Sequence, residues 1–298
     1  MRTLTLPYAG PAGGGIVEYA CAGAGSNTSA GSSAGADNGA CADTSADTPA
    51  PPTTLFLHGL AGSIEDTRPL ASGVPGRKVF AHLPGHGRST GPDPLGYDTL
   101  AAAALAVADH EHATAALGVS LGAATLLRIL SRTPDRFERV VLYLPAVADV
   151  PRRPEAVAPH RDLADRLAAA DALGVADALL RTQPLAVRDT RIAEAWAERR
   201  AKELIAEDGD PRRWLPLAAA VPLDPQGLER LRAVRIPVLV IAQEGDPAHP
   251  VEAARRIADA LPTARLTVFD EAGALWGHRA ELRELIAGFL TSTDALQR

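Results

Sequence analysis

Gly118-Val119-Ser120-Leu121-Gly122 follows the apolar run Thr114-Ala115-Ala116-Leu117 and precedes Ala123-Ala124-Thr125-Leu126-Leu127-Arg128-Ile129-Leu130. The first run reads as a strand and the last as a helix, because its apolar residues recur at helical spacing. Gly-x-Ser-x-Gly between a strand and a helix is the pattern of a nucleophile elbow. A strand that turns at once into a helix brings two backbones close together, and glycine, lacking a Cβ, fits there. The turn lifts the Ser120 hydroxyl clear of the sheet. It also aims the Leu121 N–H at a point where an oxyanion would form.

Similar apolar runs lie on both sides of the elbow. Before it come Thr54-Leu55-Phe56-Leu57-His58-Gly59-Leu60 and Lys78-Val79-Phe80-Ala81-His82-Leu83. After it come Arg139-Val140-Val141-Leu142-Tyr143-Leu144, Ile236-Pro237-Val238-Leu239-Val240-Ile241-Ala242 and Ala264-Arg265-Leu266-Thr267-Val268-Phe269. Runs with little alternation suit strands covered on both faces of a parallel sheet. Helical stretches separate them, which predicts an α/β class, a doubly wound and mostly parallel sheet. Residues 3–8 and 16–20 read as a pair of edge strands. Residues 21–52 hold almost nothing apolar beyond alanine and predict a disordered, low-complexity loop.

The His58-Gly59 segment, Leu83-Pro84-Gly85-His86-Gly87-Arg88-Ser89, the elbow, and Gly245-Asp246 followed by Pro250 occur in that order. Together they resemble the α/β-hydrolase superfamily, over most of the chain except residues 21–52 and the middle third. The resemblance implies a hydrolase core over residues 1–149 and 221–298. It also implies a helical cap over 150–220, where the strand–helix alternation breaks. Trp196 and Trp214 in that segment, with His58, are candidates for lining a substrate pocket, and the two tryptophans serve equally to pack the cap onto the core. Arg212-Arg213 reads as a solvated pair that could also meet an anion.

A serine hydroxyl is a weak nucleophile and needs a base, itself oriented by a third group. Asp246 is the expected orienting acid. It follows the seventh strand, and carboxyl ends of strands are where ligands bind in open α/β sheets. Asp149, after the sixth strand, is the second choice. The resemblance implies an oxyanion hole from the N–H groups of Leu121 and Leu60.

The base breaks the pattern. The superfamily places it after the last strand, directly behind a glycine, yet here Gly273 is followed by Ala274. His278 is the expected base, provided the loop before it brings it to Ser120. Four residues of helix displace a side chain by ~6 Å along the axis, beyond the ~3 Å reach that proton transfer needs. His249, near Asp246, and His82, where relatives carry an aspartate, are alternative bases. His86 reads as part of its turn.

Composition narrows the rest. Aromatic residues make up only 4% of the chain, so aliphatic side chains must fill the core. A net charge of −6 argues against a nucleic-acid partner. No apolar run approaches the ~20 residues that span a bilayer, and the first residues lack the long apolar stretch of a signal peptide. The expectation is a cytoplasmic protein with no membrane partner. Cys21 and Cys41 bracket the polar loop and read as free thiols. Asp109-His110-Glu111-His112 invites a metal reading, but it precedes the elbow strand and so falls at the wrong end of the sheet. No metal and no cofactor are expected. The leading expectation is a serine hydrolase of a small-molecule ester, lactone or thioester. The alternatives are elimination, cyclisation or acyl transfer on the same fold, motivated by Ala274, and a binding protein without catalysis.

Overall fold

The structure, a computed structural model, describes residues 1–6, 14–23, 52–207 and 210–292. Its strands are β1 (Arg2–Leu6), β2 (Gly15–Ala22), β3 (Thr53–Leu57), β4 (Arg77–Ala81), β5 (Ala115–Val119), β6 (Arg139–Tyr143), β7 (Val238–Gln243) and β8 (Ala264–Phe269). They form one eight-stranded sheet in the order β1-β2-β4-β3-β5-β6-β7-β8. The β1–β2 and β2–β4 pairs are antiparallel, and every pair from β4 through β8 is parallel.

The helices are α1 (Ile64–Thr67), α2 (Tyr97–His110), α3 (Leu121–Leu130), α4 (Pro154–Ala168), α5 (Ala172–Arg181), α6 (Leu185–Arg188), α7 (Arg191–Ala206), α8 (Leu215–Ala219), α9 (Pro225–Arg230), α10 (Val251–Ala260), α11 (Ala274–Gly277) and α12 (Arg279–Thr291). Helices α4 to α9 form an insertion between β6 and β7. Residues 7–8 of the expected first strand lie outside the described residues. Over the described residues the edge strands agree with the sequence reading, with one difference. Cys21 and Ala22 continue β2, pairing with Val79 and Lys78, because the β4 edge offers them ladder partners. Residues 24–51 of the expected loop, with Cys41, lie outside the described residues.

Periodicity explains the layers. Every residue of β7 is buried, as a central parallel strand requires. Helix α10 buries Val251, Ala254, Ile257 and Ala260, and α12 buries Leu282, Ile286 and Leu290. Each is one apolar stripe of a surface helix. Emptying one such position, as in Ile286→Ala, costs ~2–5 kcal/mol. Apolar clusters cover both faces of the sheet. One joins α2, α3 and α10 to the insertion, and the other packs α12 and the segment around Leu70. The loops leaving β3, β4, β5, β6 and β7 therefore share the carboxyl edge of the parallel strands, where the candidate residues gather.

Candidate active site

The elbow is as tight as its glycines suggest. A Cβ on Gly118 would sit 2.3 Å from the Gly122 carbonyl carbon, and a Cβ on Gly122 would sit 2.5 Å from the Leu57 carbonyl oxygen. Ser120 adopts φ +49° and ψ −99°, a conformation that costs a non-glycine residue ~1–3 kcal/mol. Two backbone bonds hold it there. The Ser120 N–H donates to the Tyr143 carbonyl at 2.9 Å, and the Gly122 N–H to the His58 carbonyl at 3.0 Å.

The residue facing the Ser120 hydroxyl is His249. Its Nε2 lies 3.0 Å from Ser120 Oγ, and its Nδ1 lies 2.9 Å from Asp246 Oδ2. With the proton on Nδ1, facing the carboxylate, Nε2 offers a lone pair to the serine O–H. Asp246 and His249 belong to one turn. Asp246 Oδ1 accepts the N–H groups of Ala248 (3.0 Å) and His249 (3.2 Å), and its carbonyl accepts the His249 N–H. Burial pushes the Asp246 carboxyl up, but His249, Gln243 and the Ala248 N–H outweigh it, and its pKa lies below the ordinary carboxylate value. Asp246 is thus held as the anion.

His278 is not brought to Ser120, which corrects the first choice of base. Helix α11 begins at Ala274, and the His278 N–H bonds back to the Ala274 carbonyl. That turn carries the imidazole onto the Phe269 ring, centroids 5.9 Å apart, and to within 3.6 Å of Glu281. The space behind Gly273 is closed by Gln243. Its Oε1 accepts the N–H groups of Gly273 and Ala274, both at 3.0 Å, and its Nε2 donates to Asp246 Oδ2 at 2.7 Å. One buried amide therefore ties the β8–α11 loop to the acid. Sequence reading passed over Gln243, although a polar residue closing a wholly buried strand was a signal.

Leu121 follows Ser120 directly, and Leu60 follows Gly59, which packs against the serine. A Cβ on the preceding Gly59 would lie 3.6 Å from Ser120 Cβ, and no hydrogen-bond partner for either leucine N–H occurs among the described residues. The loop around Leu60 is gripped from below by three imidazoles. His86 Nε2 accepts the Ala61 N–H at 3.1 Å, and His82 Nε2 accepts the Ile64 N–H at 3.2 Å. His58 Nδ1 bonds the Gly59 carbonyl at 2.7 Å, while its Nε2 accepts the Leu83 N–H. Burial, then the neighbouring histidines, drives His58 well below its ordinary value. Burial and the Arg200 charge lower His86 to about 3. Both are neutral acceptors.

His82 also spends its Nδ1 on Glu18 Oε2 at 2.9 Å. It is therefore a scaffold group rather than the alternative base, and His58 a loop anchor rather than a pocket wall. From above, Arg200 of α7 donates to the Ala61 carbonyl (3.0 Å) and the Gly62 carbonyl (3.0 Å). Sequence reading missed Arg200; its clue was an arginine on the buried stripe of Ala193, Ala197, Ala201 and Leu204.

The remaining candidates take other places. Asp149 forms two 2.7 Å bonds with Arg256 and is committed there. Trp196 meets Trp276 edge to face at 5.8 Å. Trp214 is buried and lines a 270 Å³ cavity with Gly85, Leu204, Glu207 and Arg213. Arg212 pairs with Asp165. Asp109 and Glu111 pair with Arg136 and Arg77. A separate open cleft runs past Asp246 between Gln183, Arg188 and Ala272. No helix among the described residues is long and apolar enough to cross a membrane.

A model described as the alpha/beta hydrolase family matches residues 54–285. Among solved structures, the chain is similar to the enol-lactonase from Burkholderia xenovorans LB400, at 20% identity and TM-score 0.70 over 93% of this chain and 97% of that one. It is also similar to a thermophilic esterase from Thermogutta terrifontis solved with malate, at 16% identity and TM-score 0.71 over 97% and 98%. A third similar structure is the esterase EaEST from Exiguobacterium antarcticum, at 15% identity and TM-score 0.70 over 94% and 97%. At these identities the likeness speaks to the fold alone. No curated protein matches the chain.

Proposed function

The chain belongs to the alpha/beta hydrolase family, and we propose that it is a serine hydrolase cleaving a carboxylic ester, lactone or thioester through an acyl-Ser120 intermediate. The observation that carries this reading is the continuous relay from Asp246 through His249 to Ser120, with contacts of 2.9 and 3.0 Å. It lies on a strained elbow, the usual setting of a nucleophile.

Ser120 Oγ attacks the carbonyl carbon while His249 Nε2 takes the hydroxyl proton. Charge develops on the carbonyl oxygen, and the N–H groups of Leu60 and Leu121 stabilise it. Asp246 steadies the imidazolium, which then gives its proton to the departing alkoxide or thiolate. Water, deprotonated by the same nitrogen, attacks the acyl-enzyme, and the acid leaves as Ser120 Oγ regains the proton. No step calls for a metal or an organic cofactor. The helical insertion acts as a cap, and a small acyl substrate and a cytoplasmic setting belong to the same reading. Non-hydrolytic chemistry was motivated by the alanine at position 274 and by His82, and the contact of His249 with Ser120 supports hydrolysis over it.

Hydrolysis of p-nitrophenyl valerate tests the proposal. Ser120→Ala is expected to lower kcat by about 10⁴-fold or more. An unchanged rate in that variant would rule the mechanism out.

A further inference from the structure

Glu207 is used by nothing in the mechanism, yet it joins the two groups that hold the loop carrying Leu60. That loop is a tight turn. The Gly62 N–H donates to the Gly59 carbonyl at 3.0 Å, and Ala61 takes φ +53°, the left-handed region, which strains a residue with a Cβ. The turn sets the aim of the Leu60 N–H. In a planar trans peptide unit the N–H points opposite to the carbonyl of the same unit, and that carbonyl belongs to Gly59. It is fixed by two donors, the Gly62 N–H and His58 Nδ1, the latter at 2.7 Å. A strained residue such as Ala61 persists only where its surroundings over-determine it. Both of its backbone groups are held. Its N–H donates to His86 Nε2 at 3.1 Å, and its carbonyl accepts from Arg200 Nε and Nη2 at 3.2 and 3.0 Å.

Glu207 braces both holders. It directly follows α7, the helix that carries Arg200. Its Oε1 accepts from Arg200 Nη1 at 3.2 Å, and its Oε2 accepts the Gly87 N–H at 3.1 Å. Gly87 is the residue after His86, and its turn lies flat on His82, where a Cβ would sit 2.3 Å from Nδ1. Ala61, Arg200, Glu207, Gly87 and His86 thus close one ring of hydrogen bonds and peptide links. Arg200 is only 3% exposed, and a guanidinium keeps its charge in any protein environment, so it needs a counter-ion where it stands. Glu203 also bonds Arg200, at 3.3 Å. Of the two carboxylates, Glu207 alone also bonds the loop after β4 among the described residues.

We propose that Glu207 is a positioning residue of the oxyanion hole. It ties α7 of the insertion to the two groups that clamp Ala61, so the Leu60 N–H keeps its aim only while that helix is docked on the core. This rests on the serine-hydrolase reading and deepens it, giving the insertion a part in stabilising the transition state.

The test compares p-nitrophenyl valerate with its thiono analogue, in which sulfur replaces the carbonyl oxygen. Sulfur accepts hydrogen bonds weakly, so the ratio of the two kcat/KM values reads the grip of the hole on the developing oxyanion. The wild-type enzyme is expected to favour the oxygen ester. In Glu207→Ala that ratio is expected to fall by about 10-fold, part of the roughly 10²–10³ that a whole donor is worth. The loss on the oxygen ester is expected in kcat, with KM little changed. Glu207→Gln keeps one acceptor, and its ratio is expected to lie between the other two. A smaller folded fraction lowers both rates alike and cancels in the ratio. Should the alanine variant fail to fold, the glutamine variant decides by itself. A wild-type ratio in the variants, a defect confined to KM, or a wild-type enzyme that treats the two esters alike overturns the positioning role and leaves the hydrolase standing. Failure of the wild-type enzyme on the oxygen ester overturns the hydrolase reading, and this inference with it.

Discussion

His249 Nε2 lies 3.0 Å from Ser120 Oγ, although the two residues are 129 positions apart in the chain. The separation between His249 and its acid is only three positions. Asp246 and His249 thus share one turn after β7, and in the proposed mechanism the loop after β8 has no proton to carry. That loop keeps a structural task, because Gln243 bonds it to the acid.

Gln243→Leu tests that link. It leaves the buried N–H groups of Gly273 and Ala274 without their acceptor and removes a donor from Asp246. Each orphaned group costs ~1–3 kcal/mol. Urea unfolding is expected to show a loss of about 2–4 kcal/mol. An unchanged midpoint would contradict the bridging role.

In the proposed mechanism Arg200 is a positioning residue, acting through the loop that carries Leu60. In Arg200→Met the carbonyls of Ala61 and Gly62 lose their donor. Losing one oxyanion donor outright costs about 10²–10³ in kcat, so loosening its loop is expected to cost about 10-fold, with KM little changed. Arg200→Lys should recover part of the rate. A defect confined to KM would point to substrate contact instead.

Much of this site was legible in the sequence. The tight elbow, the strands on either side of it and the place of Asp246 just after β7 follow from local pattern, since a glycine pair at a strand–helix junction admits few conformations. The base was less legible. Expectation attached it to the last strand, where Ala274 stands, and treated His249 as an alternative. Nothing local distinguishes a loop histidine from one held by the preceding aspartate, because the deciding contact is with a serine on another strand. Arg200 and Gln243 were silent for the same reason, as their partners are distant in the chain.

Acid should weaken the protein through its buried histidines. An imidazole in the unfolded chain takes a proton near pH 6.5, whereas folded His86 does so only at about 3, and His58 is also depressed. Between those values the unfolded state binds more protons, so unfolding free energy falls as pH falls. The stabilising contribution is complete above the unfolded value and fades below it. Each such group contributes a slope of ~1.4 kcal/mol per pH unit. Urea melts of His86→Gln between pH 6 and 4 are expected to show a slope shallower than the wild-type one by about that amount. Identical slopes would mean that His86 titrates in the fold as it does in the unfolded chain.

The most direct test of the central claim is the rate at which a fluorophosphonate probe modifies Ser120, followed by mass spectrometry in His249→Gln and His278→Gln. Removing a general base costs about 10²–10⁴-fold. The relay from Asp246 through His249 requires a loss of that size in the first variant and a nearly wild-type rate in the second. A His249→Gln enzyme that still reacts at full rate, with His278→Gln inert, would contradict it.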